Sequence, residues 1–476
     1  MDKYHIIVIG AGSGGLSIGL SMHELGFKVL LIEQYEENIG GECLNTGCIP
    51  SKALIHASRL VHKAKEAELF GIKSSGKADL KSVLEYVRQK QQIIRDHENA
   101  QYFRDQGMDV VIGKAEFVGK LSVKVGDETY YGKKIAIATG SKPAKLKVPG
   151  VEMVKYLDNE NIFQLDQLPE RLLMVGAGPI SMEIGQAFSR FGSKVTMVEV
   201  FDRILINELP EIAQVLFKKV QEEGISFHLS SKLLRFEGEN QAIIEAADGL
   251  HQTLDFDAVF VGIGRKIYTD GLNLDQAGIK TENGKIVSNA YLQTSNKNVY
   301  VIGDVVDSLK FSHGAEWQAT IMVNNFLSPL KKKLNYDHFS WVTFTDPEIA
   351  TFGLSEQEIQ NRNIKYEKLV YDFSQDDRAI VDDYQYGKTI LFVKPSASPM
   401  GDMKLLGGSM VAPNAGELFQ ELVLAHSSGL GLKKLFDKTY AYPTGGRVNK
   451  TIAINRYLSR MTPTIKRILK FMYKLS

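Results

Sequence analysis

Cys43 and Cys48, in GGECLNTGCIPSK (40–52), are the only cysteines in a chain of 476 residues. Two sulfurs this close can open and close a disulfide by taking up or releasing an electron pair. They can also bind a metal or lie inert. Pro50 suits the first turn of a helix, and Leu54 and Ala57 follow at helical spacing. Cys48 then stands near the positive end of that helix with Lys52 one turn on, and both features favour a thiolate. A zinc site would be incomplete, because the chain has no second cysteine pair to finish the ligand set. Inert buried thiols are the plain alternative, although a lysine beside them is unusual.

A redox pair needs an electron carrier, and the flanking elements read as two nucleotide sites. The strand His5–Ile9 runs into GAGSGG, with Gly10, Gly12 and Gly15 in dinucleotide-binding spacing; a helical pattern and a second strand ending at Glu33 follow. The first glycine makes the turn, the second admits a pyrophosphate, and the third lets helix and strand pack closely. Glu33 can accept hydrogen bonds from an adenosine ribose. The pattern recurs in RLLMVGAGPISMEIGQAFSRFGSKVTMVEV, with Gly176, Gly178 and Glu199. First glycine to acid is 33 − 10 = 23 residues in one copy and 199 − 176 = 23 in the other. Such a repeat predicts two dinucleotides in one chain. Ser181 replaces the third glycine of the second copy. An acid at Glu199 suits a free ribose hydroxyl and repels a 2′-phosphate, which favours NADH over NADPH. KKIAIATGSKP (133–143) and NVYVIGDVV (298–306) read as further buried strands. Asp304 falls just past the second, where it can reach a sugar or ribityl hydroxyl; alone, the pair Gly303-Asp304 would read as a surface turn.

The bulk numbers narrow the class. So long a chain predicts several domains. With 57 Lys and Arg against 56 Asp and Glu, the net charge of +1 argues against bulk binding to nucleic acid. No apolar run reaches the ~18 residues of a membrane span. The apolar start reads as a buried strand rather than a signal peptide, and two cysteines do not make a secreted disulfide scaffold, so a cytoplasmic enzyme is expected.

In GAGSGG, GGECLNTGCIPSK, ATGSKP, GAGPISME, GIGRK, YVIGDV, FTDPEIATFGLSE and APNAGEL, taken in that order, the chain resembles the pyridine nucleotide–disulfide oxidoreductases of the dihydrolipoamide dehydrogenase, glutathione reductase and mercuric reductase type. The resemblance covers nearly the whole chain. It implies FAD in the first site, NAD in the second and a homodimer. It also implies that Cys43 exchanges with substrate, that Cys48 lies nearest the flavin, and that Lys52 pairs with Glu183. Electrons would pass between NADH and a thiol/disulfide substrate through the Cys43–Cys48 disulfide, in either direction. The candidate cofactor-binding residues are Gly10, Gly12, Gly15, Glu33, Lys52, Ala115, Thr139, Gly140, Gly176, Gly178, Glu199, Gly264 and Asp304. The chain departs from the family at Ser181 and at Lys266-Ile267-Tyr268, where a proline and an asparagine are common.

A larger departure lies near the C-terminus. The family carries a histidine before Pro-Thr and a glutamate five residues later, an acid–base pair contributed across the dimer. In TYAYPTGGRVNK (439–450) those positions hold Tyr442 and Arg447. With Cys43, Cys48, Lys52 and Glu183 they complete the candidate catalytic set. Positioned acid–base groups contribute ~10²–10⁴-fold, and phenols, titrating near ~10, are poor bases at neutral pH. Efficient turnover of lipoamide or glutathione disulfide is therefore not expected. Mercuric reductases also place a tyrosine near this point, so a soft metal ion is an alternative acceptor, although the family's C-terminal cysteine pair is missing here; a quinone, which needs no histidine, is another. Arg447 would hold an anionic acceptor or lower the thiolate pKa, or simply form an ion pair. A non-catalytic NAD-binding or membrane-adaptor protein would leave both cysteines unexplained.

The expected architecture is α/β: two doubly wound Rossmann-like nucleotide-binding domains plus a C-terminal α+β dimerisation domain. The expected bounds are 1–148 for FAD with a helical insertion at about 80–107, 149–268 for NAD, 269–338 for a segment completing the FAD site, and 339–476 for dimerisation. The tail TPTIKRILKFMYKLS (462–476) interleaves cations with apolar residues. It reads as a helix docked on the dimer or as a weak contact to a membrane surface or partner.

Overall fold

The computed structural model describes residues 3–73, 76, 78–306, 309–396, 398 and 401–475; Met1, Asp2 and Ser476, the ends of the expected domain bounds, lie outside them. By compactness the chain divides into two units: Met1–Gly176 with Ala187–Val198 and Lys232–Leu334, and Ala177–Gln186 with Glu199–Ser231 and Asn335–Ser476.

In the first unit the run KYHIIVI forms the strand Lys3–Ile9, whose Ile6, Ile7 and Val8 are fully buried. A strand apolar on both faces must be covered on both, so it belongs at the centre of a parallel sheet. It pairs in parallel with Val29–Glu33 on one side and Glu128–Ile137 on the other. The strand Val299–Val301 joins Glu128–Ile137 in parallel, so chain from far along the sequence enters the first sheet and sets Asp304 just beyond it. The expected insertion at 80–107 is two helices, Leu80–Arg95 and Ala100–Asp105. Asn99 breaks the run by capping the second, its side chain accepting from the Tyr102 amide at 2.8 Å. The second glycine motif lies among the parallel strands Arg171–Val175, Lys194–Val198 and Ala258–Val261.

The second unit carries a five-stranded antiparallel sheet in the order 340–343, 348–353, 405–412, 388–393, 367–372. The helix Arg447–Ser459 sinks Val448, Ile452, Ala453 and Tyr457 into the core beside Phe373 and Phe419. This is the α+β layer expected of the C-terminal region. The chain continues into a last helix, Pro463–Leu475, none of whose residues is buried. Among the described residues no helix is long and apolar enough to cross a membrane.

Close packing of the first helix, Ser13–Glu24, on the first strand depends on glycine. A Cβ on Gly15 would lie 1.8 Å from the Gly10 carbonyl oxygen, a contact with backbone that no rotamer change relieves. Gly15→Ala is expected to destabilise the protein by on the order of 3 kcal/mol. Thermal unfolding of the purified variant measures this, and an unchanged midpoint would contradict the packing.

Candidate active site

The two nucleotide cradles repeat one local structure. Gly10 (φ +105) and Gly176 (φ +95) occupy conformations that L side chains rarely adopt, and a Cβ on either would strike a carbonyl oxygen, that of Ala138 at 2.4 Å or of Gly262 at 2.7 Å. In the first copy the Ala11 amide donates to Glu33 Oε2 at 2.7 Å; in the second the Ala177 amide donates to Glu199 Oε2, also at 2.7 Å. The spacing of 23 residues thus has a physical cause: each acid ties the strand end back to its own glycine loop. The helix after Gly12 starts without a side-chain cap, leaving its first amides to an anion. Gly178 has open space where a Cβ would stand. Ser181 is wholly buried, with no hydrogen-bond partner for its hydroxyl among the described residues, so the departure from glycine leaves an unsatisfied polar atom under the second cradle.

The cysteines lie where a short helix, Gly41–Asn45, turns at Gly47 into the long helix Cys48–Glu66. Both are half-buried free thiols. Cys48, the first helical residue, lies 3.3 Å from Ser312 Oγ. Its hydrogen bond to Cys43 pushes the Cys43 thiol far above the ordinary thiol range; burial and the charge of Cys48 add to this, against weaker lowering by Ser312 and Ser13. Cys48 stands at the positive helix end, and Cys43 holds its proton more tightly than an ordinary thiol. Lys52 donates to Ser51 Oγ at 3.3 Å. The insertion holds this corner: Gln91 donates to the Leu44 and Asn45 carbonyls at 2.8 and 2.9 Å, and Arg95 to the Asn45 side chain at 2.7 Å.

Glu42 and Arg265, which sequence reasoning did not single out, form the polar centre of this region. The Arg265 guanidinium takes both Glu42 oxygens, one at 2.5 Å, and its Nε donates to Ser141 Oγ at 2.7 Å. Ser141 donates to Asp304 Oδ2 at 2.5 Å, and Asn159 donates to Glu42 at 2.8 Å. The antiparallel pairing of 265–267 with 141–143 brings Arg265 here. The GIGRK motif thus sets Arg265 against Glu42 and Asp304. Burial raises the Glu42 carboxyl from 4.5 to about 7 against the lowering pull of Arg265, and the charges of Asp304 and Cys48 push the same way. Thr139 donates to the Tyr268 carbonyl at 2.5 Å, Gly140 and Gly264 make positive-φ turns, and Ala115 is a buried residue paired with Val125.

The other candidates belong to the second unit. Glu183 is buried and accepts from the Phe344 amide at 2.8 Å; Lys52, its expected partner, belongs to the first unit. Tyr442 is 65% exposed, donates to Asp377 Oδ2 at 3.2 Å, and has the Arg447 guanidinium 5.1 Å from its ring centre. Both line an open polar cavity with Asp376, Asp377, Arg378 and Thr451. His426 offers no substitute base. It is buried, with its ring nitrogens each 2.9 Å from a carbonyl oxygen, those of Leu405 and Asp337.

Residues 4–319 match the pyridine nucleotide-disulphide oxidoreductase family and residues 339–452 match its dimerisation domain. The chain belongs to this family. It is similar to dihydrolipoyl dehydrogenase from Thermus scotoductus, 34% identical over 93% of this chain and 95% of that one. It is 32% identical to a mercuric reductase from Staphylococcus aureus, over 93% of this chain and 80% of the relative. The solved Cu(II) complex of the HOCl-induced flavoprotein disulfide reductase RclA from Escherichia coli shares the fold, with a TM-score of 0.83 at 24% identity over 96% of this chain and all of that one. The oxidoreductase is thus a flavoprotein of a family that binds FAD and NAD(P). Its residues fit FAD in the first site, because the uncapped helix start and the bare backbone of Gly10 and Gly12 suit a pyrophosphate, and Asp304 lies beyond the strand end.

Glu42 couples this site to pH. Its folded pKa is raised, so its stabilising contribution is complete below about 4.5 and is lost as pH rises through about 7. Glu42→Gln, which cannot ionise, is expected to flatten the fall in stability across that window. Urea midpoints of the flavin-free protein test this, and parallel curves for the two proteins would refute it.

Proposed function

We propose that this oxidoreductase moves electrons between NADH and a thiol/disulfide substrate through the Cys43–Cys48 disulfide, as a dihydrolipoyl dehydrogenase-like enzyme with an altered acid–base site. The observation that carries the reading is the hydrogen-bonded thiol pair, with Cys48 at a helix start and charge on one sulfur raising the pKa of the other. FAD, when bound, supplies the two-electron link between nicotinamide and disulfide. Reduction breaks the Cys43–Cys48 bond with two electrons from NADH, and the proton retained by the pair stays on Cys43. Deprotonated Cys43 then attacks an acceptor disulfide, forming a mixed disulfide and releasing one acceptor sulfur. Cys48 closes back on Cys43, releasing the second acceptor sulfur as a thiol. Lys52 is assigned to the flavin and Glu183 to the nicotinamide, and Glu199 selects NADH over NADPH. A homodimer brings Tyr442 and Arg447 to Cys43 of the other subunit. A cytoplasmic setting suits thiols that must cycle.

The weak step in this scheme is deprotonation of Cys43, which has no histidine to perform it. Tyr442 favours a second reading, in which the same pair and cofactors reduce a soft metal ion, as the names of the mercuric reductases among its relatives suggest; a quinone is the other histidine-free acceptor. In either reading the purified protein is expected to be yellow and to gain a long-wavelength absorbance band when NADH is added without oxygen. A colourless protein that binds no flavin would defeat both. Lipoamide, charged and neutral disulfides, Hg²⁺ and quinones, tested with NADH and NADPH, then distinguish them. Lipoamide turnover is expected to be lower by ~10²–10⁴-fold than that of a histidine-bearing relative; turnover equal to that relative's would remove the altered-site reading.

Arg447 is assigned to holding an anionic acceptor near Cys43. Arg447→Ala is expected to lower kcat/KM for anionic disulfides by about tenfold, the loss of one exposed charge contact, while leaving neutral disulfides nearly unchanged. Equal losses for both substrates would reject this role.

A further inference from the structure

The last helix, Pro463–Leu475, begins as a separate element: Thr462 caps it, its hydroxyl accepting from the Ile465 amide at 3.3 Å. It lies past residues 339–452, the part matched as a dimerisation domain. The preceding helix buries one face, whereas this one leaves Ile468, Leu469, Phe471 and Met472 between 50% and 63% exposed. Lys466, Lys470 and Lys474 recur at i, i+4 and i+8, with Arg467 beside them on one arc; Ile465, Ile468, Leu469, Phe471, Met472 and Leu475 occupy the rest of the circumference. No acid interrupts the segment, in a chain whose net charge is only +1.

That distribution selects the occupant. A second copy of the helix would set four cations against four, a repulsive pairing. An uncharged apolar groove would strand the cations at its rim. A surface with dispersed negative charge above an apolar layer satisfies both faces, and a helix of 13 residues, about 20 Å long, is too short to do anything but lie in its plane. We propose that helix 463–475 seats this oxidoreductase on an anionic lipid bilayer, its apolar arc at the acyl–headgroup boundary and its four cations among the lipid phosphates.

The test is co-sedimentation of the full chain, followed by its flavin absorbance, with phosphatidylglycerol–phosphatidylcholine vesicles and with pure phosphatidylcholine vesicles. Binding is expected with the first and not the second, and it should weaken as salt rises. Stopping the chain after Thr462 should abolish it. Replacing Lys466, Arg467, Lys470 and Lys474 by Gln should lower the partition coefficient about fivefold for each charge removed, without loss of flavin. Absence of binding to the anionic vesicles overturns the proposal, as does equal binding by the full and shortened chains. A shortened chain that becomes monomeric, from a full-length dimer that ignores vesicles, would assign the helix to the subunit interface and overturn it too.

Discussion

The site rests on two backbones that touch. A Cβ added to Gly41 would stand 2.5 Å from the Cα of Gly12, so the cysteine motif approaches the first nucleotide loop only because Gly41 has no side chain there. From that contact the corner Gly41–Asn45 takes its position, then Cys43 within it and Cys48 at the start of the next helix. Gln91 and Arg95 hold the outer side of the same corner through the Leu44 and Asn45 carbonyls and the Asn45 side chain. The insertion, polar and plain in sequence, thereby holds the corner that carries Cys43.

Arg265 binds the inner side. Its guanidinium joins the carboxylate next to Cys43 to Ser141, and Ser141 reaches Asp304. Residues from three distant stretches of chain share one half-buried cation. Burial and opposite charge pull Glu42 in opposite directions, and burial wins, pushing the carboxyl next in sequence to Cys43 up to about 7. Glu42, next in sequence to Cys43, is tied to Arg265 rather than free to move protons.

Much of the fold was legible from periodicity and glycine spacing. Runs such as HIIVI and IAIA are apolar at successive positions, which only a strand covered on both faces tolerates, and they are the central strands. The matched distance from glycine to acid in both copies required the same loop closure, and both acids tie the same loop amide at the same distance. His426 lies in an apolar helix, where a single histidine more often packs than reacts, and it is held between two carbonyls. Arg265, by contrast, was not singled out, because its partners Ser141 and Glu42 lie 124 and 223 positions away in sequence; the pairing of 265–267 with 141–143 carries it to them.

By itself the sequence marked the cysteine pair and the two glycine–acid cradles, and set Tyr442 and Arg447 where the resemblance leads one to expect an acid–base pair, because each is a local pattern of residue type and near spacing. Only the tertiary structure decided that Ser312 meets Cys48, that Glu42 and Arg265 pair, and that Tyr442 and Arg447 share one open polar cavity. Those contacts join residues up to 264 positions apart. Side chains at such distances meet only after sheets and helices have packed, and no local pattern records where they will meet.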